Sequence, residues 1–400
     1  MSSNQSLIIK NINVYAEDQV FPNGYIKIVN GKIVEIGTDV SNQLKNEETE
    51  IIKFTPAYNL IPGAIDMHIH GVNGADTMDA TEKALNIITA TLPQEGTTSF
   101  LATTMTQSKK AIEDALENAA HYIVKKQTVG QAEILGIHLE GPFISPKRAG
   151  AQPTNHIIEP NIDLFKQWQS LAKGTIKQVT LAPEEGEGID FINYLHDTNV
   201  VASIGHTDAT YQEVDQAIKA GATQVTHLYN GMRGLHHREP GILGAALLRD
   251  ELFAEMIVDG IHAVPEMIQL AYKMKTSKRV ILITDSMRAK CLKNGVYDLG
   301  GQEVIVNGEK ATLANGSLAG SILKMKDAMK NMLSFSKCTL QDVIQMAAVN
   351  PAKQLSVFDR KGSLAVGKDA DFVILDENYD VVMTFCRGKL AYKKSEQRQV

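Results

Sequence analysis

The middle of the chain is built from short apolar runs that end in polar residues, separated by segments with helical spacing. The runs are Leu60–His70, Thr97–Thr103, Ile134–Glu140, Gln178–Pro183, Val200–His206, Gln224–Leu228, Phe253–Asp259 and Val280–Asp285. Between them, Ala80–Leu92, Lys109–Val124, Ala209–Ala220 and Pro265–Lys275 repeat apolar residues at the helical interval. Strands that alternate with helices predict parallel pairing through crossover helices, and eight such strands predict a closed TIM-type (β/α)8 barrel. An open doubly wound sheet would place a glycine-rich turn after its first strand. Here that run ends instead in Met67-His68-Ile69-His70-Gly71. Two more helical stretches, Ser321–Ser334 and Leu340–Ala348, follow the eighth run and can close the barrel.

Both ends of the chain have a different rhythm. Ser6–Val14 alternates, Gly24–Val29 and Lys32–Ile36 flank the hairpin signal Asn30-Gly31, and Asn46–Glu50 reads as an acidic surface loop. Near the other end, Asp371–Leu375, Val381–Phe385 and Lys389–Tyr392 read as strands after the turn-like Gly362–Lys368. The expectation is an α/β protein in which a small β-sandwich domain, residues 1–58 plus 360–400, is built from both termini around a barrel of residues 59–359.

Composition narrows the function classes. The net charge of −6 argues against a nucleic-acid binder, which would need a basic face, but it does not exclude a phosphorylated substrate, because one local Arg can hold a phosphate. The three cysteines, Cys291, Cys338 and Cys386, are odd in number and far apart, which fits a reducing compartment rather than a disulfide framework. No secretory pattern opens the sequence and no run is long enough to span a membrane, so the expected location is the cytoplasm.

The candidate chemistry lies in the residues that end the strands, because barrel enzymes work at that end. His68 and His70 stand at i and i+2, on one face of a strand, and both can reach one ion. Glu140, His206, His227 and Asp285 end four later runs. Taken singly, each could be an ordinary core or rim residue. As a set they are the imidazoles and carboxylates that suit zinc, iron, manganese or cobalt. Such an ion activates water for hydrolysis, and a nearby carboxylate moves the proton; Asp285, the lone acid on the last strand, is the candidate. The alternative for Asp285 is one more metal ligand.

This pattern resembles the amidohydrolase superfamily. Many members carry a carboxylated Lys that is absent here, where Glu140 takes its place. That change, with the phrases HLEGPF, SIGHTDA, THLYNGM, REPGILGA, ITDSM, LAGS and NPAKQL, is similar over nearly the whole chain to the deacetylases of N-acetylglucosamine 6-phosphate. The resemblance implies that Glu140, His206 and His227 hold the main metal, and that His68 and His70 leave room for a second ion. It implies Asp285 as general base and then acid. It also implies substrate contacts from Ala151, Gln152, Asn230, Gly231, His262, Leu318, Ala319 and Gly320, with Arg238 on the phosphate, reaching in from a neighbouring subunit. Some members carry a His where Gln152 aligns. The implied partners are a small phosphosugar and further copies of the chain, as a homodimer or homotetramer. Other amidohydrolases, such as dihydroorotases, D-aminoacylases and base deaminases, share the metal logic but do not match the Glu140 and Arg238 segments.

Overall fold

The computed structural model describes residues 6–38 and 49–395. Eight parallel strands lie side by side in the order of the chain: Ala64–Ile69, Thr97–Thr103, Glu133–Glu140, Ile176–Leu181, Val201–Ile204, Gln224–Val225, Phe253–Ile257 and Val280–Ile283. The seam between the last and the first is made by residues at the strand ends. The Asp285 N–H donates to the His68 carbonyl at 2.8 Å, and the His70 N–H donates to the Ser286 carbonyl at 3.0 Å. The buried Asp66 carboxylate accepts from the Thr284 hydroxyl at 2.6 Å and from the Thr284 N–H at 3.2 Å. The predicted barrel therefore closes, and it closes through the residues expected to carry chemistry.

Helices cover the outside, and their starts follow from capping chemistry. Ser108 accepts from the Ala111 N–H at the head of Lys109–Lys125. Thr210 and Glu213 form a reciprocal capping box on Tyr211–Lys219. Three further helices, Ile162–Leu171, Gly188–Asp197 and Gly241–Leu248, also lie between strands. After the eighth strand the chain makes a three-stranded antiparallel sheet, Gly295–Leu299, Gln302–Asn307 and Lys310–Thr312, before the helix Met325–Ser336. Its inward side chains Leu299, Val304, Val306 and Ala311 pack with Met105, Met287 and Ala319.

The chain ends form one hydrogen-bonded sheet of eight strands. Lys389–Lys393, Val381–Cys386, Phe372–Leu375 and Asn59–Pro62 continue into Ser6–Tyr15, Val20–Val29 and Lys32–Gly37, with Thr49–Lys53 also on Ser6–Tyr15. Its core is apolar, with Ile9, Ile12, Ile26, Phe372, Ile374 and Phe385 at its centre. Two expectations change. The run Leu60–His70 is two strands, because Asn59–Pro62 pairs in the terminal sheet and Ala64–Ile69 in the barrel. Of the expected loop Asn46–Glu50, positions 46–48 lie outside the described residues, while Thr49 and Glu50 begin a strand.

A polar clamp joins sheet to barrel. Glu133, which opens the third barrel strand, receives Arg360 at 2.7 Å and Lys361 at 2.8 Å. Burial works against the Glu133 charge, but Arg360 and Lys361 overcome it and hold the carboxyl down at about 2.

Candidate metal centre and active site

Among the described residues, two groups of side chains could hold a metal ion, and both are buried at the C-terminal ends of the barrel strands. The first is Glu140, His206 and His227; the second is His68, His70 and Asp285. In the first, His206 Nε2 and His227 Nε2 lie 3.1 Å apart, and Glu140 Oε1 is 3.1 and 3.2 Å from them. A tetrahedral ion with bonds of about 2.0–2.1 Å has ligand-to-ligand edges of about 3.3 Å. The triangle therefore has the size of one face of such a site. His206 Nδ1 donates to the Arg148 carbonyl at 3.0 Å, so in the neutral ring its Nε2 turns a lone pair toward a carboxylate oxygen. Two acceptors at that distance call for a cation between them.

The second group meets the first across Glu140. Its Oε2 is 3.2 Å from His70 Nε2, and Asp285 Oδ1 is 3.2 Å from His70 Nε2 and 3.4 Å from His68 Nε2. His68 Nε2 is buried and makes no hydrogen bond, as expected of an atom reserved for a metal. The charges point the same way. Burial opposes charge on His68 and His70, yet Glu140 and Asp285 overrule it, raising His68 well above the ordinary value and His70 to about 10. Against the pull of burial, His68, His206 and His227 hold Glu140 well below the carboxylate range, and His68 and His70 hold Asp285 below it. The site is built for positive charge, and the donor set fits one or two divalent ions.

The backbone is strained where it aims these groups. His206, His227 and Asp285 have φ of 48°, 33° and 48°. Residues with side chains rarely adopt this region, at a cost of about 1–3 kcal/mol each. Gly231, at φ 57°, passes so close that an added Cβ would sit 3.0 Å from His206 Nδ1.

A cavity of about 330 Å³ opens over both groups. Ala151, Gln152, Asn230, Gly231, His262, Leu318 and Gly320 line it together with His70, Glu140, His206, His227 and Asp285. Gln152 is fixed at both ends: its Nε2 donates to Glu140 Oε2 at 3.0 Å, and its Oε1 accepts from the Thr106 N–H at 2.8 Å. His262 is fixed through Nδ1, 2.7 Å from Asp259 Oδ2. Two expected residues are not brought in. Ala319 is buried in the core of the small antiparallel sheet, and Arg238 stands exposed beside His237 on the loop after the sixth strand. Met105, Leu299 and Ser317 line the cavity unforeseen. A larger cleft of about 700 Å³ is lined by Asp259, Cys291, Lys324 and Phe335 among others, but none of the groups that could hold an ion opens into it.

His138, which precedes Glu140 by two, is fully buried; its Nε2 meets the Thr180 hydroxyl at 2.7 Å and its ring packs edge-on against His68. Sequence reasoning missed Glu255, whose Oε2 lies 3.1 Å from His68 Nδ1. The signal was available: a lone acid inside the apolar strand Phe253–Ile257 must have a buried partner.

Comparison with known proteins agrees with this geometry. The amidohydrolase family model matches residues 59–391. The N-acetylglucosamine-6-phosphate deacetylase of Bacillus subtilis (strain 168) is 50% identical over 398 residues, covering 99% of this chain and 100% of that protein. The crystal structure of the N-acetylglucosamine-6-phosphate deacetylase of Thermotoga maritima superposes with a TM-score of 0.87 at 35% identity, covering 97% of this chain and 100% of that one. A variant of the Mycobacterium smegmatis enzyme, in complex with N-acetyl-D-glucosamine-6-phosphate, superposes at 0.89 with 28% identity, covering 98% and 100%. With a buried His, Glu and Asp set at the barrel mouth and a family match across the whole barrel, this chain belongs to the amidohydrolase family.

Proposed function

We propose that this chain hydrolyses the acetamide of N-acetyl-D-glucosamine 6-phosphate to D-glucosamine 6-phosphate and acetate, a step of amino-sugar metabolism. The observation that carries the reading is the pair of metal-ligand groups sharing Glu140 beneath one sugar-sized cavity. The relatives' substrate supplies the rest.

Glu140, His206 and His227 would hold the first divalent ion, and His68, His70 and Asp285 face a second position that shares Glu140. Such an ion would lower the pKa of water to about 7 and would polarise the amide carbonyl. Asp285 is ionised and lines the cavity, so it takes the proton of the attacking water and passes it to the leaving nitrogen. Gln152 holds Glu140 in place. His262, oriented by Asp259, presents its other ring nitrogen to a sugar hydroxyl. Asn230 and Gly231 border the same cavity from the loop that ends in Arg238. Because Arg238 is exposed and outside the cavity of its own chain, it binds the phosphate of a substrate held by a second copy, which makes a homodimer the working unit. No helix among the described residues is long and apolar enough to cross a membrane.

The metal part of this reading is tested by stripping the protein with a chelator and restoring zinc, iron, manganese or cobalt one at a time. Activity is expected to vanish and return, with two ions per subunit at saturation. One tightly bound ion with full activity would refute the two-ion form.

A further inference from the structure

We propose that Glu255 is a positioning residue for the His68, His70 and Asp285 half of the centre, and that its carboxylate decides whether a second divalent ion is held there. The proposal rests on the two-ion reading above.

Glu255 lies in the middle of the seventh barrel strand with 0% of its surface exposed. A carboxylate in such a place is costly unless its oxygens are satisfied. Gln178, from the fourth strand, donates Nε2 to Glu255 Oε1 at 2.7 Å, and Gln224, from the sixth, does the same at 2.6 Å. Gln224 Nε2 also reaches Gln178 Oε1 at 3.1 Å, and Gln354 Nε2 donates to Gln224 Oε1 at 3.0 Å. The amides therefore fix one oxygen of Glu255 on a rigid floor inside the barrel. They leave the other, Oε2, for His68 Nδ1 at 3.1 Å and the His227 N–H at 3.4 Å.

The consequence follows from donor and acceptor roles. A carboxylate only accepts, so the contact puts a proton on His68 Nδ1. In the neutral ring this leaves the Nε2 lone pair free. That atom is the buried one without a hydrogen bond, 3.4 Å from both Glu140 Oε1 and Asp285 Oδ1. The edge-on contact with His138, 4.6 Å between centroids, keeps the ring from turning away. An amide at position 255 could turn its own N–H toward Nδ1, which would shift the proton to Nε2 and block the ligand. Charge adds to the effect. Glu140, Asp285 and Glu255 are the three carboxylates in contact with the His68 ring, and Glu255→Gln would leave two of them to balance a pair of divalent ions.

The other half of the centre has its own support. The His206 ring is held by the Arg148 carbonyl, and Glu255 meets His227 only through its main-chain N–H. The effect should therefore be selective for one ion.

The experiment counts metal per subunit by elemental mass spectrometry after zinc loading and gel filtration. The affinity of each ion is then measured by competition with a chromophoric chelator. Wild type should hold two ions. E255Q should keep the first at wild-type affinity and bind the second about 10- to 100-fold more weakly, the usual cost of losing a partner behind a ligand. Glu255→Asp, which keeps the charge, should recover part of that loss. In a His68→Asn background, E255Q should cause no further loss of the second ion. Two outcomes overturn the proposal with the two-ion reading intact: E255Q retaining both ions at wild-type affinity, or losing both together with a collapse in thermal stability. A single ion in wild type itself would overturn the two-ion reading, and this proposal with it.

Discussion

Asp285→Asn is the substitution that bears most directly on the chemistry. The change keeps the shape of the side chain and leaves the main-chain links of Asp285 to His68 and Ser321 untouched, so the barrel seam should still close. It removes the ability to take a proton. Glu140 and Asp285 are the two acids lining the cavity, and Glu140 is occupied by four imidazoles and Gln152. No second acid is placed to substitute. General acid–base catalysis contributes about 100- to 10,000-fold, or about 3–5 kcal/mol of barrier. With no stand-in, the loss in kcat is expected toward the upper end, about 1,000-fold or more, with KM little changed. The first ion, on Glu140, His206 and His227, does not depend on Asp285 and should remain. Steady-state kinetics on protein of measured metal content is the assay. A variant with its first ion in place and kcat within about tenfold of wild type would refute the role given to Asp285.

Further outcomes follow from other parts of the structure. Arg238→Ala should raise KM for the phosphorylated sugar about 10- to 100-fold, the value of a charged hydrogen bond to phosphate, and leave the poor turnover of the unphosphorylated sugar unchanged; equal losses on both would remove Arg238 from the phosphate. Stability should fall in acid because of the Glu133 clamp. Its folded pKa is depressed to about 2 from 4.5, so its contribution is present above about pH 4.5 and is lost as pH drops through about 2. That contribution is at most about 3 kcal/mol. Urea melts at pH 6 and pH 3 should show the difference, and Glu133→Gln should shrink it; an unchanged pH dependence in that variant would place the acid sensitivity elsewhere.

The barrel and the side chains that could hold a metal could be read from the sequence because they obey one rule. Each site residue ends an apolar run, and strand ends point to one mouth, so His68, His70, Glu140, His206, His227 and Asp285 could be gathered without coordinates. What escaped did not follow a period. The helix Gly241–Leu248 is buried along nearly its whole length and so has no polar face to set a helical repeat. The small sheet from Gly295 to Thr312 consists of short strands joined by glycine turns, yet its Leu299 lines the cavity. Glu255 was hidden inside a strand rather than at its end. Ala319 lies between two residues of the cavity wall, Leu318 and Gly320, but its side chain faces the opposite way, into the core, an orientation that a motif does not encode.

The most direct test of the central claim is acetate release from N-acetylglucosamine 6-phosphate, with unphosphorylated N-acetylglucosamine alongside, by metal-loaded protein. The account predicts fast release from the phosphorylated sugar and little from the other. No release from either sugar, with both metal positions filled, would contradict the assigned reaction and leave the centre to serve another amide.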